Sequence, residues 1–178
     1  MTDSSSITNR TPLTLIDRAL TFVCRTGVLL SFAVLIYAVL TQVVGRSILS
    51  DSPAWTEELT RYALLWLVAF GTGLSLKTGD LVNVDIISEA LPGKGPWVLR
   101  FASAIITVGF CAALVTSAWR FTSIGAMQTS PVLKIPMNFI HMSVLGLLVL
   151  LGIFAAMRVV LMLTGASDGR ANALPDIE

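Results

Sequence analysis

Three charged side chains, Glu57, Glu58 and Arg61, stand at the front of an apolar run, in the stretch SPAWTEELTRYALLWLVAF from Ser52 to Phe70. On a helix Glu57 and Arg61 are four residues apart and Glu58 and Arg61 three, so one guanidinium can neutralise either carboxylate on a single face. Arg46, at the end of the preceding apolar run, can balance the second acid, and Trp55 is a residue type that anchors at a membrane–water interface. The chemistry on offer is ionic and structural: Arg46, Glu57, Glu58 and Arg61 are expected to form a neutral cluster that locks two helix ends together. A fully solvated pair would contribute only about 0.3–0.5 kcal/mol, whereas breaking a partly buried one costs several kcal/mol. The plain alternative is a solvated helix start that uses its glutamates to complement the helix dipole.

Other chemistry finds no residues to carry it. A haem-binding bundle needs axial ligands, usually histidine, and the chain has one, His141, expected to bond to loop backbone. A thiol oxidoreductase would need paired cysteines, but Cys24 and Cys111 are far apart, no C-x-x-C occurs, and both read as buried thiols. Phosphate-cradling glycine loops, metal-ligand clusters and nucleophile–base pairs are missing from the sequence. A proton-coupled small exporter would place an acid in mid-membrane, and the middles of the apolar runs hold none. No catalytic, substrate-binding or metal-ligating residue is expected, and no enzyme.

The elements that must position these residues are membrane spans. The chain is 54 % hydrophobic and 13 % charged, with a mean hydropathy of +0.80, far too apolar for an ordinary soluble domain. A hydrocarbon core of about 30 Å needs roughly 20 apolar residues at 1.5 Å each. Four runs qualify: Thr26–Gly45, Tyr62–Leu76, Phe101–Trp119 and Ile135–Met157. The second is short, but Ser52 can cap and Pro53 suits a first helical turn, so that helix is expected to start near Pro53 and to carry its charged turn at the interface. No small-residue cleavage site follows the first run, which therefore reads as an anchor and not a removed signal peptide. Three organisational units are expected: a polar tail over residues 1–19, a four-helix membrane domain over 20–164 and a second polar tail over 165–178.

A formal net charge of +1 suggests neither nucleic acid binding nor a polybasic lipid patch, and no nucleic acid partner is expected. Of the twelve Lys and Arg residues, eight fall in the tails and middle loop and four in the other two loops, which places both termini in the cytoplasm. Between helices two and three, TGDLVNVDIISEALPGKGP carries Val84, Ile87 and Leu91 at helical spacing before a breaker, and a short amphipathic helix lying in the interface fits it. In the loop before helix four, Pro131 and Pro136 hold the chain extended. Small residues mark close approach at Ala69 and Gly73, at Gly71 and Ser75, and at Gly109, Ala113 and Ser117. The fold class is all-α integral membrane: four transmembrane helices plus that interfacial helix between the second and third.

The run GRSILSDSPAWTEELTRYALLWLVAFGTGLSLKTGDLVNVD resembles the small membrane subunit of tripartite ATP-independent periplasmic (TRAP) transporters, the DctQ-like family. Arg46, Trp55, Glu57, Glu58, Arg61, Gly71, Lys77, Gly79, Val84 and Asp85 match that family's pattern in order, and Pro131, Leu133, Pro136 and Gly146 match the approach to its last helix. The likeness spans about residues 15–165, with Leu81, His141 and Val144 departing from residues common in the family. The resemblance implies a fixed scaffold subunit of a sodium-coupled importer of an organic acid such as a dicarboxylate, in the bacterial inner membrane. It also implies a large multi-span permease partner that carries substrate and sodium, so that this chain has no cofactor of its own, and a soluble periplasmic substrate-binding protein. Arg46, Arg120 and Lys134 are candidates for docking the binding protein, against ordinary anchoring at the lipid interface. The end of the chain soon after helix four suggests a subunit separate from the large one. Two other classes stand beside this: a self-sufficient homo-oligomeric transporter or channel using Thr41, Gln42, Asn138 and His141, and a membrane anchor for a redox enzyme.

Overall fold

The computed structural model describes residues 12–48, 53–78 and 95–164. They form four helices: α1 (Pro12–Ile48), α2 (Ala54–Thr78), α3 (Gly95–Gly125) and α4 (Asn138–Leu163). All four are long and apolar enough to cross a membrane, and the only extended pairing among the described residues is one antiparallel bridge between Thr129 and Pro136. The protein is an all-α integral membrane protein. The connector expected to hold the interfacial helix, with Gly79, Val84 and Asp85, lies outside the described residues.

Two helices run well past the limits that hydropathy sets. α1 has 37 residues, about 55 Å at 1.5 Å per residue, and begins at Pro12, inside the stretch expected to be a polar tail. Proline is well suited to a helix start, where its missing N–H has no intrahelical partner to lose. α3 likewise begins at Gly95 with Pro96 in its first turn. Hydropathy marks what can lie in hydrocarbon; the helix itself continues until the backbone is broken. α2 starts at Ala54, one residue beyond Pro53, whose carbonyl accepts both the Thr56 N–H (3.1 Å) and the Thr56 hydroxyl (2.7 Å). α4 starts three residues later than its apolar run, because Pro136 belongs to the preceding loop.

The substantial neighbours are α1 with α2, α2 with α4, and α4 with α3, so the order across the layer is α1, α2, α4, α3, hairpin against hairpin. The seams follow from small residues seven apart. On α1 Cys24, Ser31, Ala38 and Gly45 are buried, and on α3 Ala104, Cys111, Ala118 and Gly125. A seven-residue period keeps one stripe facing a neighbour in a left-handed helix pair, and small side chains let the backbones approach, since in lipid van der Waals packing replaces the hydrophobic drive. Gly27 faces the ring of Phe70 on α2, Gly73 faces Leu150 and Phe154 on α4, and Gly152 faces Cys111 on α3. Of the stripes expected from sequence, Ala69 and Gly73 are buried between α2 and α4. Gly71 and Gly109 meet nothing within 4 Å of a would-be Cβ, so the Gly109, Ala113 and Ser117 row points away from the protein.

Several hydroxyls on the helices bond to their own backbone. Thr21, Thr41, Thr60, Thr72, Thr107 and Thr122 each donate to the carbonyl four residues back, at 2.7 to 2.9 Å, and Ser143 donates to Ile140 at 2.6 Å. This is how a hydroxyl satisfies itself where no water is available.

Candidate functional site: a carboxylate holding the α3–α4 hairpin

α3 ends by tightening. The N–H groups of Ala126, Met127 and Gln128 donate three residues back, to Ser123, Ile124 and Gly125, at 3.1 to 3.2 Å, which uses carbonyls that a helix end leaves free. The chain then folds into a β-hairpin over Gln128–Met137: Ser130 N–H donates to the Ile135 carbonyl and Met137 N–H to the Gln128 carbonyl, both at 2.9 Å. Four residues, Pro131 to Lys134, make its tip. Pro131 fixes φ for a turn start, and Lys134 closes the loop in the left-handed region with φ 56, the way four-residue hairpin loops are commonly completed. The sequence reading of this loop as merely extended missed the hairpin.

The tip leaves consecutive backbone N–H groups pointing the same way, a concavity suited to an anion. The anion is Glu58. Its Oε2 accepts the N–H of Leu133 at 2.8 Å and of Val132 at 3.2 Å, and its Oε1 accepts the hydroxyl of Tyr62, one helical turn on, at 2.5 Å. Glu58 is 8 % exposed, and all three partners are donors, the pattern that suits an ionised carboxylate, which only accepts. The Tyr62 oxygen also lies 3.7 Å from Met137 Sδ at the foot of the hairpin. Ser130 is fully buried beside the same carboxylate and phenol, its hydroxyl short of a well-formed hydrogen bond.

This corrects the expected cluster. Of its four members only Arg61 and Glu57 pair, at 3.1 Å, and both are more than two-thirds exposed. Glu58 lies on a buried face of the helix start, where backbone amides replace a guanidinium, and Arg46 is exposed and makes no ion pair among the described residues. Trp55 is half-buried; Arg120 and Lys134 are exposed and without an acidic partner among the described residues. The hairpin's roots are fixed separately. His141 Nδ1–H donates to the Phe121 carbonyl at 3.1 Å, their rings stack 3.9 Å apart, and Gly125 lies so close to both His141 and the Asn138 backbone that a Cβ there would sit 2.5 Å from Nδ1.

A second constellation, at the other end of the helices, was not anticipated. Lys77 Nζ lies 2.6 Å from Asp17 Oδ2 and donates to the Thr21 hydroxyl at 2.8 Å, joining α2 to the early turns of α1. The sequence marks Lys77 as a motif position with no partner and places Asp17 in the polar tail, so the pair is not legible there. Gly146, another motif position, faces Trp66 across the α2–α4 seam at an ordinary 3.8 Å from a would-be Cβ.

The arrangement binds its own loops and helix ends; among the described residues no three His, Cys, Asp or Glu side chains gather to hold a metal. The family model described as "Tripartite ATP-independent periplasmic transporters, DctQ component" matches residues 35–165. The chain belongs to the DctQ family. Within it, this DctQ-type chain is 24 % identical over 136 residues to a protein of Haemophilus influenzae carrying the name of a TRAP transporter small permease protein, covering 75 % of this chain and 82 % of that one. It is 27 % identical over 115 residues to the sialic acid TRAP transporter small permease protein SiaQ of Vibrio cholerae, covering 59 % and 66 %. It is also 30 % identical over 90 residues to the isethionate TRAP transporter permease protein DctMQ of Oleidesulfovibrio alaskensis, covering 46 % of this chain and 13 % of that much longer one. The matched region holds Glu58 and the whole hairpin, but not Asp17 or Thr21.

Proposed function

We propose that this DctQ subunit is the non-catalytic, static frame of a sodium-coupled TRAP importer in the bacterial inner membrane, with both termini cytoplasmic and the hairpin end periplasmic. Its partners are a large multi-span permease subunit, which carries the substrate and sodium, a soluble periplasmic binding protein, and lipid; the chain itself holds no cofactor. The substrate class is an organic acid. The relatives named for sialic acid and isethionate favour that breadth and do not narrow it to a dicarboxylate.

The observation that carries this reading is where the polar groups go. Thr41, Thr72, Thr107 and Thr122 donate to carbonyls of their own helices, Glu58 and Lys77 tie helix ends together, and of the residues a channel reading would use Thr41 and His141 are engaged by the Tyr37 and Phe121 carbonyls, while the buried Asn138 Oδ1 has no partner among the described residues. A frame against which a mobile partner slides needs rigidity and an apolar surface, and α1 in particular presents one, with Phe22, Leu29, Leu30, Tyr37 and Leu40 all more than half exposed.

Reconstitution tests it. Proteoliposomes with this chain, its large partner and the binding protein should show sodium-dependent uptake, and omission of any of the three should abolish it. Uptake by this chain alone would refute the reading in favour of the self-sufficient transporter.

A further inference from the structure

The hairpin has almost no interior of its own. Pro131, Val132, Lys134 and Ile135 are exposed and Met127 beside them is 92 % exposed, while Ser130 is buried. Water would satisfy the Val132 and Leu133 amides of such a surface loop at little cost. Instead a carboxylate on another helix, 74 and 75 residues away in the chain, is buried against them. What a buried acceptor adds over water is position: the tip is held at a set height and angle over α2. The charges at this end favour one kind of partner. Glu57 and Arg61 cancel and Glu58 is taken up by amides, which leaves Arg46, Arg120 and Lys134 without an acidic partner among the described residues.

We infer that Glu58 is a positioning residue for docking of the soluble binding protein: its bonds to Val132 and Leu133 preorganise the hairpin, whose Lys134, with Arg120 and Arg46 at the same end, meets an acidic surface of that protein. The inference rests on the reading of this chain as a TRAP subunit. A platform ordered before contact spares the complex the entropy of ordering it during contact, so the latch acts on the affinity of docking and not on transport once docked. Docking through free cations also weakens as salt screens them.

The test titrates the binding protein against proteoliposomes of the complete transporter and reads initial uptake. Glu58→Gln removes the charge and presents an amide to the hairpin N–H groups; it should raise the half-saturating concentration of binding protein about three- to tenfold, with the rate at saturation within about twofold of the parent, a split that mere loss of folded complex would not give. Glu58→Asp, one methylene shorter with its charge kept, should fall between, and carries the same test should Glu58→Gln not assemble. Lys134→Glu, outside the latch, reports on docking by itself. If Lys134→Glu raises the half-saturating concentration and the Glu58 variants leave it unchanged, the hairpin docks without needing the latch and the inference is overturned while the subunit reading stands. If none of the variants moves it, the hairpin is no docking surface and the inference fails with it.

Discussion

Gly27 offers the sharpest test of how the first hairpin packs. A Cβ built there would stand 2.5, 2.6 and 2.8 Å from three carbons of the Phe70 ring, where carbon pairs settle at about 3.5–4.0 Å. Gly27→Ala must therefore open the α1–α2 seam locally by about 1 Å, forfeiting dispersion along it, or turn the Phe70 ring off its rotamer at about 0.5–1.5 kcal/mol. Turning the ring would also disturb its stack on Trp66, with centroids 5.5 Å apart. The expected cost is about 1–3 kcal/mol, the range of overpacking in a filled interior. Equilibrium unfolding of the purified subunit in mixed micelles reads it directly. Phe70→Leu, which opens space under Gly27, should cost stability alone yet absorb much of the alanine's penalty, so the double variant should be less destabilised than the sum by about 1 kcal/mol. Additivity within about 0.3–0.5 kcal/mol, or a neutral Gly27→Ala, would show that the seam tolerates the methyl and refute the tight approach.

Asp17→Asn keeps the shape of the Lys77 contact and removes its charge; with the pair about a quarter to a third exposed, the loss should be about 1 kcal/mol, between that of a solvated and a buried pair, and a cross-link between engineered cysteines flanking the contact on α1 and α2 should form more slowly. Arg61→Ala, by contrast, should change stability by less than about 0.5 kcal/mol, since both partners face solvent; complex yield close to wild type is the check, and a severe loss would mean that the pair is covered in the assembled transporter. Gly125→Ala should push His141 away from Phe121 and cost about 1–3 kcal/mol, seen as a lowered unfolding midpoint together with faster proteolysis at the hairpin.

Four spans and the start of α2 were legible because hydropathy and the Ser-Pro start are written in local residue types, while the order α1, α2, α4, α3 across the layer was not. The family was legible for the same reason, as a string of motif positions in order. The extent of α1 is not, because Asp17, Arg18 and Arg25 interrupt the apolar residues of its first turns, so the sequence places Asp17 in the polar tail and gives Lys77 no partner. Glu58 was found as a residue but misassigned in its bonding. A charge beside an arginine suggests an ion pair, whereas two of its three partners are backbone amides, which have no residue type to read, and the third is the Tyr62 hydroxyl one helical turn on. The heptad of small residues on α1 is plain in the sequence once Cys24, Ser31, Ala38 and Gly45 are aligned, but the stripes read from sequence are spaced four residues apart, and these are spaced seven.

The placement of the polar contacts explains how so open a layer can hold one shape. Seams of small residues let neighbouring helices approach closely, and where Phe70 meets Gly27 and Phe154 meets Gly73 they also resist sliding in the middle of the layer. Directional bonds resist sliding, and the protein has them at both ends: Lys77 with Asp17 fixes α1 against α2 at one, while Glu58 fixes α2 to the hairpin that joins α3 and α4 at the other. Through α2, the helix common to both, the two contacts link all four helices. A frame built this way should lose register before it loses helical content. Removing Asp17 and Glu58 together should therefore leave the circular dichroism of the helices unchanged while cross-links across α1–α2 and between α2 and the hairpin spread over neighbouring positions.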